Sequence, residues 1–271
     1  MNSEADVVSL TKALEKIVPA EADLSRFDEV ECLASMRDIG MFLSSIRRHG
    51  QQPLDVLPSA EPVLRELGVR TNMVPRETLN HYVVWNPEGS RERLYTGDPM
   101  ESILMKSIRT TLPRLGTSIE ICRQLHEVDI RDARAAELLG ELAENLGPFA
   151  SSMAVVLRDV TPIFFAQSMR PFFDDVTVGD RDYRGLAAAH MPLALVDLAL
   201  WSSDHPDTQY EQFWRPSVEY VVPHLRDDFD DWKQRPSLVS RAAAAVEDDS
   251  APRNALGDAL AALAESLGTL A

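Results

Sequence analysis

Apolar residues return every three or four positions along most of this chain, and that period is the strongest constraint on its fold. Residues 6–18 (DVVSLTKALEKIV) put Val7, Leu10, Leu14 and Val18 on one helical face. Residues 26–48 do the same with Phe27, Val30, Leu33, Met36, Ile39 and Leu43. The spacing predicts further helices at 61–67, with Ser59 as the cap, and from Asp98-Pro99 to about 125, where Pro113 should introduce a kink. Helices at 132–146 and 149–167 are expected on either side of a Leu-Gly-Pro stop and restart. The last ones fall at 185–201, 237–247 and 252–269.

Two stretches break the period. NHYVVWNPEGSRERLYTG (80–97) sets a strand-prone run before turn chemistry and a returning segment, and reads as a hairpin or ordered loop. FFDDVTVGDRDYRG (172–185) is hairpin-like, with Gly179-Asp180 at its turn. An aromatic-rich stretch covers 207–233, and the acidic VEDDSAPRN at 246–254 reads as a mobile link to the last helix. The expectation is an all-α fold: one helical-bundle domain over 1–271 with one or two small β-hairpin excursions.

Charge narrows the partners. With 27 Lys and Arg against 43 Asp and Glu the net charge is −16, which argues against nucleic acid and against anionic lipid. The most apolar window, GLAAAHMPLALVDLALW (185–201), is interrupted by His190, Pro192 and Asp197 and reads as a buried helix, not a membrane span. Cys32 and Cys122 belong to no CxxC or CxxCH pattern, so zinc ribbons, iron–sulfur sites and covalent c-type haem find no support. The opening MNSEADVVSL lacks the basic and apolar regions of a signal peptide, and a reducing cytoplasm is the expected setting.

Six histidines are present, at 49, 81, 126, 190, 205 and 224. None forms an HxH, HExxH or H-x3-H pair, and GxSxG, P-loop and GxGxxG motifs are absent. Isolated histidines suit a cofactor that brings its own coordination sphere. Haem b needs one axial imidazole on a rigid element, a surface free of bulk, and cations for its propionates. His190, after Ala187, Ala188 and Ala189, meets the first two demands. The plain alternative is that His190 and His81 are satisfied core or strand histidines, that the tryptophans pack the core, and that the arginines are solvated charge.

Two segments taken together change that balance. HYVVWNPEGSRERLYTGDP (81–99) and RPFFDDVTVGDRDYRGLAAAHMPLALVDLALWSSD (170–204) resemble the histidyl-ligated, haem-dependent aromatic hydroxylases of the tryptophan-dioxygenase-like superfamily. They are most similar to the bacterial L-tyrosine 3-hydroxylases that make L-DOPA for natural products. The ring-rearranging haem enzyme of pyrrolnitrin biosynthesis is a more distant likeness. The resemblance implies a helical bundle enclosing non-covalent haem b, with His190 as the axial ligand, His205 as its rival, and His81 as the distal, catalytic histidine. It also implies L-tyrosine and hydrogen peroxide as reactants. An imidazole with an unperturbed pKa near ~6.5 could take a proton from peroxide or hold the substrate phenol. Tyr82, Trp85, Asn86, Arg93 and Trp201 are the expected pocket residues, and Arg170, Arg184 and Arg215 the candidates for propionates or a substrate carboxylate. The Ala-rich C-terminal helices would form a homodimer face or close the bundle. Two other accounts stand beside this one: a haem-dependent indole dioxygenase or ring-rearranging enzyme, and a cofactor-free helical binding or regulatory protein.

Overall fold

Helix boundaries follow from capping chemistry. Asp6 opens α1 (Val7–Ile17), its carboxylate accepting the Ser9 amide at 2.7 Å. Asp28 opens α2 (Glu29–Arg47) with a reciprocal box: the Glu31 amide donates to Asp28, and the Asp28 amide to Glu31, at 2.8 and 2.9 Å. After the short α3 (Pro53–Val56), α4 (Ala60–Thr71) ends at Asn72, which takes the left-handed φ of 51° common at helix ends. These elements belong to a computed structural model that describes residues 6–186, 191–247 and 253–268.

The chain continues through α5 (Pro99–Glu127), α6 (Ala133–Asp159), α7 (Pro162–Phe164), the strands β1 (Val176–Val178) and β2 (Arg181–Tyr183), and α8 (Met191–Asp197). It ends with α9 (Thr208–Trp214), α10 (Arg226–Trp232), α11 (Leu238–Glu247) and α12 (Arg253–Gly268). The structure is 74% helical, with one small antiparallel sheet, so the class is all-α. In that sheet Val176 pairs with Tyr183 and Val178 with Arg181. Gly179, at φ 67°, makes the two-residue turn expected at Gly179-Asp180.

The residues group into two compact units. The first holds the N-terminal segment through Lys106, the segment from Arg158 through the hairpin, and Glu219–Pro223. Its core is built from the inward faces of α1, α2 and α4, including Leu10, Leu14, Met36, Ile39, Leu43 and Leu64, with Val176 and Val178 of the hairpin packed in. The second unit takes Ser107–Leu157, the described residues from Met191 to Val218, and those from His224 onward. Ile119, Leu125, Leu139, Leu142, Leu195 and Trp232 are buried there. In that unit Arg241 donates to the carbonyls of Leu125 and Val128, at 2.7 and 2.5 Å, and so closes the free C-terminal end of α5.

Two expectations are corrected. Residues 80–97 do not form a hairpin: Asn80–Val84 is a π-helical turn and Gly89–Arg91 a 3₁₀ turn. The stop expected at Leu146-Gly147-Pro148 is absent, because α6 runs through Pro148 to Asp159. The break falls later, at Thr161, whose hydroxyl accepts the Phe164 amide at 3.1 Å and starts a new turn at Pro162. Pro113 lies inside α5, which continues past it as the reading of one helix to about 125 requires. Of the link predicted at 246–254, residues 248–252 lie outside the described residues. Among the described residues no single helix is long and apolar enough to cross a membrane.

Candidate functional site

The connection from α4 to α5 carries five of the residues singled out by sequence, His81, Tyr82, Trp85, Asn86 and Arg93. His81 sits on the π-helical turn and is completely buried. Its Nδ1 lies 3.1 Å from both the backbone nitrogen and the hydroxyl of Thr78. Trp85, half-buried, meets the imidazole edge-on, with ring centres 4.8 Å apart. The other ring nitrogen, Nε2, is buried and has no hydrogen-bond partner among the described residues. Burial, reinforced by the Arg37 guanidinium, pushes the His81 pKa down to about 3, so the ring is neutral at physiological pH. A buried polar atom left unpaired costs about 1–3 kcal/mol. Its recovery requires a ligand atom with the opposite hydrogen-bonding character.

Helix α2 forms one wall. Arg37, Gly40 and Ser44 recur at helical spacing on one face. Arg37 donates to the Trp85 carbonyl at 2.8 Å and to Asp38 at 2.8 Å, and Asp38 also faces Arg93 at 3.4 Å. Ser44 donates to Glu77, which forms a 2.7 Å ion pair with Arg76, both side chains fully buried. Gly40 leaves the space for that carboxylate: a Cβ there would overlap the Glu77 side chain. Arg76 also donates to the carbonyls of Asp174 and Tyr183, at 3.2 and 2.8 Å, tying the segment before His81 to the hairpin.

A buried carboxylate anchors the far end. Glu101, in the first turn of α5, accepts the Tyr82 hydroxyl at 2.6 Å, the amides of Tyr95, Thr96 and Gly97 at 2.7–2.9 Å, and the Thr96 hydroxyl at 2.7 Å. Burial and this neighbouring carboxylate hold the Tyr82 phenol well above its usual range. Asn86 replaces the missing strand pairing. Its side chain donates to the carbonyls of Tyr82 and Arg93, at 2.9 and 2.7 Å, and accepts the Arg93 amide at 2.9 Å. Tyr82 and Asn86 therefore spend their polar groups on shaping the loop. Arg93 borders a cleft of about 330 Å³ with Ile17, Asp38, Met41, Phe42 and Leu94.

The remaining sequence candidates are dispersed. Arg170, in the first unit, is exposed and has no ion-pair partner among the described residues. Arg184 is exposed, and its amide donates to the Tyr220 hydroxyl at 2.7 Å. In the second unit Arg215 pairs with Glu211 at 2.9 Å. Trp201 stands on a π-helical turn, Leu198–Ser202, 47% exposed and stacked face to face on His205 at 3.7 Å. His205 Nδ1 lies 2.8 Å from Asp204 and 3.2 Å from the Trp201 carbonyl. Asp204 also accepts the Ser237 amide at 2.9 Å. His190 and Ala187–Ala189 lie outside the described residues. A larger cleft in the second unit, about 470 Å³, is lined by ion-paired side chains such as Arg123–Asp228 and by His126, whose pKa burial and the nearby Arg235 and Arg241 push down to about 4.

Sequence reasoning passed over Arg37, Thr78, Gly40 and Glu101. Two of them left a readable trace: TLNH has the spacing of a capping box, with histidine where an acidic residue is usual, and Asp98-Pro99-Met100-Glu101 has the same spacing with the usual acid. Arg37 reaches a carbonyl 48 residues away, which no local pattern records.

A helical protein that buries a neutral imidazole with one nitrogen held and the other open has the makings of an oxygen-ligand site. The family is shown by the sequence itself. Residues 5–257 match the family described as monodechloroaminopyrrolnitrin synthase PrnB, and the chain belongs to that family. Its members are haem-dependent oxygenases of natural-product biosynthesis in the tryptophan-dioxygenase-like superfamily. Among the described residues, the feature that fits a haem-bound ligand is the fully buried, open Nε2 of His81.

Proposed function

We propose that this protein hydroxylates L-tyrosine at the 3-position to give L-DOPA, using non-covalent haem b and hydrogen peroxide. The observation that carries the reading is the buried, neutral His81 with its unpartnered Nε2, set in a chain of the haem-dependent family. When bound, the haem supplies an iron that activates the oxidant. His190 would provide its axial imidazole, and Arg170, an exposed cation with no ion-pair partner among the described residues, would meet a propionate or substrate carboxylate.

The chain's own residues do the orienting. His81 Nε2 hydrogen-bonds an oxygen of the ligand, and the edge-on Trp85 ring limits where an aromatic substrate can lie beside it. Glu101 and Asn86 keep the loop that carries both in one shape. His205 is the second reading for the iron ligand. A carboxylate on Nδ1 is the usual outer partner of a metal-binding histidine, and Asp204 supplies one.

Absorption spectra of the haem-supplemented protein, followed by peroxide turnover of L-tyrosine, test the proposal. A Soret band and a catechol product are expected. Turnover of indoles alone, with dioxygen, would transfer the chain to the dioxygenase or ring-rearranging branch. No Soret band at all would leave a cofactor-free helical binding protein.

A further inference from the structure

In a capping box the side chain three residues beyond the cap reaches back to the cap's own amide. Glu31 does this for Asp28. In TLNH (78–81) the same geometry recurs with an imidazole as the acceptor. The Thr78 carbonyl receives the Tyr82 amide at 3.1 Å, which makes Thr78 the residue that opens the turn, and the Thr78 amide points at His81 Nδ1. A backbone amide can only donate, so Nδ1 must present its lone pair. The single ring hydrogen of the neutral imidazole is then on Nε2, the nitrogen that has no partner among the described residues.

We propose that Thr78 is a positioning residue that fixes His81 as a neutral Nε2–H donor, so that the ring gives a hydrogen bond to a ligand oxygen and takes no proton from it. The tautomer is a property of this chain alone; only the identity of the oxygen rests on the function proposed above. Two further observations support it. A second proton would have to enter at Nδ1 and displace the Thr78 amide, inside a fully buried site that already faces the Arg37 guanidinium. The Thr78 hydroxyl, 3.1 Å from the same nitrogen, could accept from an Nδ1–H as readily as donate. It is therefore the amide that sets the tautomer. For a phenolic substrate, the consequence is that His81 meets the phenol oxygen as a donor, and the hydroxyl's proton must leave by another route.

The test uses full-length, cofactor-free protein labelled with ¹⁵N-histidine and long-range ¹H–¹⁵N correlation, which distinguishes a protonated from a bare ring nitrogen. The His81 signals are those lost in His81→Gln. The Nε2–H form alone is expected from about pH 8 to about pH 5, in the parent and in Thr78→Val, which removes the hydroxyl and keeps the amide. Thr78→Pro removes the amide and should admit the Nδ1–H form. An Nδ1–H or doubly protonated His81 in the parent at about pH 6 overturns the proposal, as does an unchanged tautomer in a folded Thr78→Pro protein. If the proline variant does not fold, the parent and Thr78→Val spectra still decide. In haem-loaded enzyme, His81→Gln keeps an N–H donor but cannot take up a proton. It should retain a rate within about tenfold of the parent, where His81→Ala loses ~10²-fold or more. Equal loss in both would sink the donor role. A protein that never binds haem would remove the proposed activity and leave the tautomer result standing.

Discussion

His81 and His205 carry the same ring in opposite settings. At His81 the groups facing Nδ1 are the Thr78 hydroxyl, which can donate or accept, and the Thr78 amide, which can only donate and so puts the hydrogen on Nε2. At His205 the groups facing Nδ1 are a carbonyl and a carboxylate that only accept, so the hydrogen sits on Nδ1 and Nε2 offers a lone pair. Burial raises the Asp204 carboxyl, but the hydrogen bonds from Ser237, Ser240 and His205 outweigh it and keep the group ionised. One histidine is thus built to donate to an oxygen and the other to bind an electrophile. What a lone histidine can do is decided by the partner of its far nitrogen.

The comparison breaks most visibly at the iron. His190→Ala should abolish the histidyl Soret signature, and His205→Ala should leave it intact. The reverse pattern in haem-titration spectra would make the lone pair of His205 the ligand. The supports of the two rings should also differ in energy. Glu77→Gln strips the charge from a fully buried ion pair just before Thr78 and should cost about 3–5 kcal/mol in urea unfolding. Gly40→Ala, which drives a methyl group into the same carboxylate, should cost about 1–3 kcal/mol. Losses below about 0.5 kcal/mol in both would mean that the segment carrying His81 is not held by this pair.

How far these features can be read from sequence depends on the range of the interaction responsible. The Gly179-Asp180 turn and the apolar face of α1 are local, and each was legible. The π-helical turn was not. Val83 and Val84 favour strands by their own propensity, but the side chain of Asn86 takes both the donor and the acceptor of Arg93 that a partner strand would have used. The continuous α6 was hidden for a similar reason: Gly-Pro punctuates a chain in isolation, and packing of Leu139, Leu142 and Leu146 carries the helix through it. At the candidate site His81 and Trp85 could be named in advance, whereas Arg37, Gly40 and Glu101 act across the fold.

Acid sharpens the contrast further. His81 has a pKa of about 3 in the fold against an ordinary 6.5, so between those values the unfolded chain holds a proton that the folded ring refuses. Its contribution is complete above pH 6.5 and is lost as pH falls toward 3, at roughly 1.4 kcal/mol per pH unit. His126, pushed down to about 4, adds a second loss of the same sign. Urea midpoints taken from pH 7 to pH 4 should therefore fall steeply in the parent, and by about one proton's slope less in His81→Gln. An identical acid limb in both proteins would show that residue 81 is charged or solvated in the fold.

The smallest effect belongs to the exposed ring. Asp204→Asn leaves an oxygen to accept the Ser237 amide, and His205 stands 38% exposed by its side chain. The stability cost should stay under about 1 kcal/mol. In the ¹⁵N spectrum, however, His205 should gain an Nε2–H population, because a neutral amide no longer demands the hydrogen at Nδ1. A large loss of stability with no change at the ring would assign Asp204 to starting α11 through Ser237, with no part in orienting His205.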